Sequence, residues 1–152
     1  MVKRYLLVLA VIAISAAVFA KSVGELAGEA TQLSNEGKYA QAAEKFNEAI
    51  QLAPANGSLY FNLGLVYKLM GRYDDAVRMI DRAVSLGQQT PQVYETLGFI
   101  YEAQAVAAPA AKAREFWLKA QKAWENLEVC ATDEERKKLS RKHIDRIKEI
   151  LQ

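Results

Sequence analysis

The chain has 152 residues, 51% of them hydrophobic and 25% charged, with a formal charge of +2. That size and polarity suit one ordinary soluble domain and exclude a chain embedded in a membrane throughout. Its single cysteine, Cys130, cannot close an intrachain disulfide, so packing must hold the fold together.

At the start, Lys3 and Arg4 precede an uncharged stretch from Tyr5 to Ala20, with Val18 and Ala20 placing small residues where an exported precursor is cut. Residues 1–20 read as a secretory signal peptide cleaved before Lys21. The alternative is an uncleaved anchor that would leave a membrane tether, but such a helix spans only about 24 Å against a hydrocarbon core of roughly 30 Å. In both cases the basic pair stays on the cytoplasmic side, and the rest of the chain is expected to be periplasmic or extracellular. No cysteine follows the expected cut, so a bacterial lipid anchor has no acceptor there. Loss of Lys3 and Arg4 from the 20 basic residues leaves 18, against 18 acidic ones. A neutral chain has no long-range field for a polyanion, which argues against nucleic acid as a partner.

Beyond Lys21 a period of 34 residues dominates: Gly37/Gly71, Tyr39/Tyr73, Ala42/Ala76, Ala49/Ala83, Leu52/Leu86, Tyr60/Tyr94, Leu63/Leu97, Gly64/Gly98 and Tyr67/Tyr101. A unit of that length is one supersecondary module that buries its apolar face only by stacking on its neighbours. From Val23 to Asn56, Leu26, Ala30 and Leu33 form one helical stripe, Gly37 and Lys38 break it, and Ala42, Phe46, Ala49 and Ile50 form a second that Pro54 ends. From Gly57 to Thr90 the same pattern returns, with Tyr60, Leu63, Gly64 and Tyr67 facing Ala76, Ile80 and Ala83. Gly64 opposite the Ala76 region predicts a close helix approach, which would offset glycine's helix cost of roughly 1 kcal/mol. The third unit, residues 91–127, starts at Pro91 and keeps Tyr94, Leu97, Gly98 and Tyr101, after which a three-residue insertion predicts a lengthened turn through Ala105–Pro109. A long helix from about Pro109 to Val129 carries Ala113, Phe116, Trp117, Ala120, Trp124 and Leu127 on one face, completing an array over residues 23–130. Thr132 with Glu135 predicts a capping box for a last helix over residues 132–152. There Leu139, Ile144, Ile147, Ile150 and Leu151 would cover the open end of the stack, while Arg136, Lys137, Lys138, Arg141, Lys142 and Arg146 face away from it.

The aromatic-x-x-Leu-Gly-x-x-Tyr segments Tyr60–Tyr67 and Tyr94–Tyr101, and Gly-x-Tyr followed by Ala42 or Ala76, resemble the tetratricopeptide repeat. Departures are Glu29 where leucine is usual, Gln88 where the unit usually ends in proline, and the altered third turn. The resemblance implies an all-α, right-handed superhelical stack of three helix–turn–helix units with a C-terminal capping helix. Its first helices would line a concave face that holds a peptide or partner helix. On that face Phe61, Leu65, Lys68 and Leu69 of the second unit adjoin Glu95, Phe99 and Glu102 of the third, with Ala27, Thr31 and Ser34 from the first. These make a shallow apolar groove edged by Lys68 on one wall and Glu95 and Glu102 on the other, unless neighbouring helices cover Phe61 and Leu65. Some members of the family grip a C-terminal carboxylate with Lys, Asn and Arg. Asn62 matches one such Asn, but Ala27, Thr31, Gln92 and Thr96 stand where other clamp groups would be, so that activity is not expected.

No catalytic, cofactor or metal site is expected. His143, the only histidine, sits in the apolar stripe of the last helix with no companion at a ligand spacing and reads as a packing residue. Cys130 reads as a small apolar filler, with an intermolecular disulfide or reactive thiol as the alternative. The acidic pairs Asp74–Asp75 and Glu134–Glu135 open helices, where they complement the helix dipole. The function expected is an exported, non-catalytic scaffold that binds a protein or peptide segment in its groove. Alternatives are a structural component that self-associates through an uncapped end or an exposed Trp117 and Trp124 helix, and a small enzyme without recognisable motifs.

Overall fold

Seven α-helices, with no strand among them, account for the secondary structure of residues 21–152, the part that this computed structural model describes. The expected signal peptide or anchor over residues 1–20 lies outside the described residues. The helices are α1 Val23–Asn35, α2 Tyr39–Leu52, α3 Gly57–Leu69, α4 Tyr73–Ser85, α5 Pro91–Ala107, α6 Ala110–Cys130 and α7 Glu134–Leu151. They pack as three consecutive pairs, α1 with α2, α3 with α4 and α5 with α6, and α7 closes the stack against α6. The all-α stack of three helix–turn–helix units and a capping helix is therefore the fold.

Local sequence sets the first helix ends. At α1, Ser22 Oγ accepts from the Glu25 amide at 3.2 Å and the Glu25 carboxylate accepts from the Ser22 amide at 2.7 Å, a reciprocal cap. The hydrogen bonds hold the Glu25 carboxyl below the usual carboxylate range. The α1–α2 and α3–α4 turns are built alike: Gly37 and Gly71 adopt φ values of 76° and 72°, and the amides of Lys38 and Arg72 each donate to a carbonyl five residues back, at 2.9 Å. Only glycine takes that left-handed backbone without a Cβ clash, so the two turns recur because the two glycines do.

The third turn differs from expectation. The inserted residues extend α5 to 17 residues, against 13 for α3, and leave only Ala108 and Pro109 between α5 and α6. With no glycine after Tyr101, the alanine-rich run keeps its helix until Pro109 forces Ala108 into extended backbone at φ −80°, ψ 150°. The last helix also starts differently: Asp133, not Thr132, is its N-cap, accepting from the Arg136 amide at 2.8 Å. Asp133 stands three residues before a free amide, and an aspartate outcompetes a threonine for it.

Packing follows the two glycines inside first helices. A Cβ on Gly64 would lie 2.7 Å from Ile80 Cγ1 and 3.2 Å from the Ala76 carbonyl oxygen. On Gly98 it would lie 2.5 Å from Trp124 Cε2. Both contacts are far inside van der Waals distance, so the absent methyl is what lets each pair close. Three apolar clusters result, centred on Phe46 and Leu63, on Ile80 and Ile100, and on Trp124 and Ile147. Tyr101 bridges the second and third. Its half-buried phenol, with the Asp81 carboxylate near it, is pushed up to about 12 from an ordinary 10.0.

Gly98→Ala should destabilise the fold by about 1–2 kcal/mol, because overpacking outweighs alanine's better helix propensity. Gly28→Ala, on the exposed side of α1 with nothing within 4 Å of the new methyl, should stabilise it by up to about 1 kcal/mol. Urea unfolding of the two variants checks the opposite signs. The raised phenol pKa means that the folded state holds a proton the unfolded state has lost, so stability should fall as pH rises from 10 through about 12. A Tyr101→Phe variant should lack that part of the decline, measured by urea midpoints across the range.

Candidate functional site: the inner face of the first helices

Side chains of the first helices α3 and α5 and of the capping helix α7 meet in one strip. Lys68 Nζ of α3 stands 5.9 Å from the centroid of the Phe99 ring of α5. Phe99 meets the His143 ring of α7 edge-on, with centroids 5.4 Å apart. The strip thus joins the second unit, the third unit and the cap.

The structure divides the expected groove residues into two groups. Leu69 is 55% exposed and Phe99 38%, while Leu65 and Lys68 are partly exposed beside them. Among the described residues Lys68 forms no ion pair, the nearest aromatic face being that of Phe99. Leu65, Lys68 and Leu69 of α3, with Phe99 of α5 beneath the Lys68 ammonium, make up an apolar shelf. Phe61, by contrast, is buried among Ala76, Ile80, Val93 and Leu97 and belongs to the core. In so short a stack the turn of α5 covers it, the alternative already visible in the sequence.

Both acids on the other wall are bound from within the protein. Arg136 Nε of α7 lies 3.4 Å from a Glu95 carboxylate oxygen. Glu102 is only 8% exposed and accepts three hydrogen bonds: from Trp124 Nε1 at 2.8 Å, from His143 Nδ1 at 2.6 Å, and from the Arg146 guanidinium. Trp124 itself is fully buried, with its indole stacked on His143 at 4.2 Å and its ring edge-to-face with Phe99 at 4.9 Å. The Ser140 hydroxyl donates to the Trp124 carbonyl at 2.5 Å. A buried carboxylate needs such partners, since an unpaired charge there costs several kcal/mol. The expected acidic wall is therefore a junction joining α5, α6 and α7.

Two further expectations change. Trp124 cannot mediate self-association, because no part of it reaches solvent. His143 does pack in the cap, as its stripe implied, but it also has a carboxylate partner 41 residues away that no local spacing could show. Burial pushes the Cys130 thiol above its ordinary value and its Sγ points at the Leu127 carbonyl, 3.6 Å away, which disfavours the reactive thiolate. Where a carboxylate clamp would need cations, Thr31 donates its hydroxyl to the Ala27 carbonyl at 2.8 Å, and Thr96 is buried.

A model of the tetratricopeptide repeat matches residues 34–98. Over that segment the chain is similar to the tetratricopeptide repeat. The solved first tetratricopeptide domain of Spaghetti, bound to an HSP90 peptide, superposes with a TM-score of 0.69 at 17% identity, over 86% of this chain and 93% of that one. The Arabidopsis OM64 domain gives 0.69 at 14% identity, over 82% and 95%. The Yersinia enterocolitica type III secretion chaperone SycD, in complex with a peptide of the translocator YopD, gives 0.62 at 20% identity, over 85% and 94%. These likenesses establish the fold. Curated proteins yield no match to the sequence.

Glu102→Ala should cost about 2–4 kcal/mol, since it strands the Trp124 N–H and the partners on α7. Glu102→Gln keeps an acceptor for the indole and should cost clearly less. Equal losses in urea unfolding would show that the indole hydrogen bond contributes nothing.

Proposed function

We propose that this protein is an exported, non-catalytic adaptor that holds a segment of another protein against the shelf formed by Leu65, Lys68, Leu69 and Phe99. The observation carrying this reading is the exposure of Leu69 and Phe99 on the stripes of α3 and α5 that Lys68 joins. Large apolar side chains that share one face and remain in water are the usual mark of a binding surface. Affinity would come from dehydrating that shelf, and the groove's curvature would favour an elongated occupant. The peptide complexes of Spaghetti and SycD support the choice of a protein segment as ligand. Export rests on the pattern of Lys3, Arg4 and the uncharged run to Ala20. No helix among the described residues is long and apolar enough to cross a membrane.

Leu65→Ser with Leu69→Ser should weaken capture of the native partner by at least about tenfold, with helical circular dichroism unchanged. Phe61 is unsuited to this test because its loss would open the core. Undiminished capture by the folded double variant would reject the shelf. Sequencing the mature N-terminus in the native compartment tests export, and a start at Met1 would reject cleavage.

A further inference from the structure

We infer that the capping helix fixes the sign of the groove's charge, so that the segment bound carries an acidic side chain within one helical turn of its apolar anchor. This rests on the proposed shelf and deepens it. Sequence alone gives the inner face one cation, Lys68, and two acids, Glu95 and Glu102. Folding pairs both acids with α7: Arg136 reaches Glu95 at 3.4 Å while also holding Asp133 at 3.0 Å, and Arg146 with His143 reaches Glu102. The charge of Glu102 is thereby spent inside the protein, while Glu95 keeps 29% of its side chain in solvent beside its shared arginine. Arg136 and Arg146 still keep 40% and 52% of their side chains in solvent, whereas Glu102 keeps 10%. Lys68 is thus the charge on the shelf that has no partner of opposite sign among the described residues, its ammonium lying over Phe99.

Lys68 stands over Phe99 and next in sequence to Leu69, so an aliphatic or aromatic anchor placed on Leu69 and Phe99 brings its neighbours within reach of the ammonium. A carboxylate there would gain an ion pair on a partly dehydrated surface. A lysine or arginine would meet uncompensated repulsion, and like-charge contacts are what exclude wrong partners. Nothing in this arrangement requires a free chain end: Asn62 has no accompanying basic pair, and the acid recognised is a side chain inside the segment.

The test uses a library of random 16-residue peptides displayed internally in a carrier protein, so that no free C-terminus is available, selected on the folded protein. The expected result is enrichment of an aromatic or aliphatic residue with Asp or Glu within four positions, and selected peptides that bind about five- to tenfold more weakly when that acid is changed to Lys. Lys68→Glu, on the exposed last turn of α3, should keep its circular dichroism and select basic residues instead. Arg136→Gln, which releases Glu95, should narrow the acid preference. An apolar consensus indifferent to charge, or the same acidic consensus from Lys68→Glu, would overturn this inference while leaving the shelf in place. No enrichment at all would overturn both, as would sedimentation showing that the shelf is covered by a second copy and freed by Leu69→Ser.

Discussion

The whole third unit depends on one missing methyl group. Gly98 offers bare backbone to the indole of Trp124, and at the 2.5 Å that a Cβ would have to occupy no side chain fits. Because the indole can lie flat on α5, its N–H meets Glu102, its face meets His143 and its edge side meets Phe99. One close approach thereby fixes α5, α6 and α7 at once. Gly64 does the same for the second unit on a smaller scale, with Ile80 in place of tryptophan. A glycine in a helix is unfavourable by about 1 kcal/mol, which the packing it permits must exceed.

Trp124 also explains why the last helix is more than a polar lid. Repeat arrays need an end whose outer face is soluble. Here α7 meets that need with Lys138, Arg141, Lys142 and Lys148 in water, while Ser140, Ile144 and Ile147 are buried beneath. It then uses Arg136, His143 and Arg146 to reach around to the inner face. On the proposed function, such a helix couples stability to recognition: the same carboxylate that holds Trp124 is held by Arg146 and so withdrawn from the proposed shelf.

What remains on the inner face is modest, an apolar shelf with a single ammonium. Such a surface gains affinity mainly by excluding water from Leu69 and Phe99, and a lone charge at its centre serves selectivity more than strength. The first unit adds little, because Ala27, Thr31 and Ser34 are short and Thr31 turns its hydroxyl back to its own helix. In the proposed reading, recognition is concentrated between α3 and α5.

Much of the architecture could be read in advance because the determinants are local and recur. The 34-residue period of Gly37, Tyr60, Gly64 and their counterparts states which residues face one another, and helical periodicity needs no distant information to do so. Glycine at a turn and proline at a helix stop act through their own backbone, although the extension of α5 shows that an insertion can be absorbed by helix as readily as by loop. The site was less legible. Leu65, Lys68, Leu69 and Phe99 are on the face their spacing gives them, yet spacing cannot say that Phe61 is roofed over or that Glu102 is bound three times. The first depends on how α5 packs on α3 and α4, the second on where α6 and α7 return in space, 22 to 44 residues later, and on the need of a buried carboxylate for donors. The sequence by itself determined the repeat, its turns and the faces of its helices. Only the tertiary structure decided which charges on those faces stay free, because a charge is spent by its nearest neighbour in space and not in the chain.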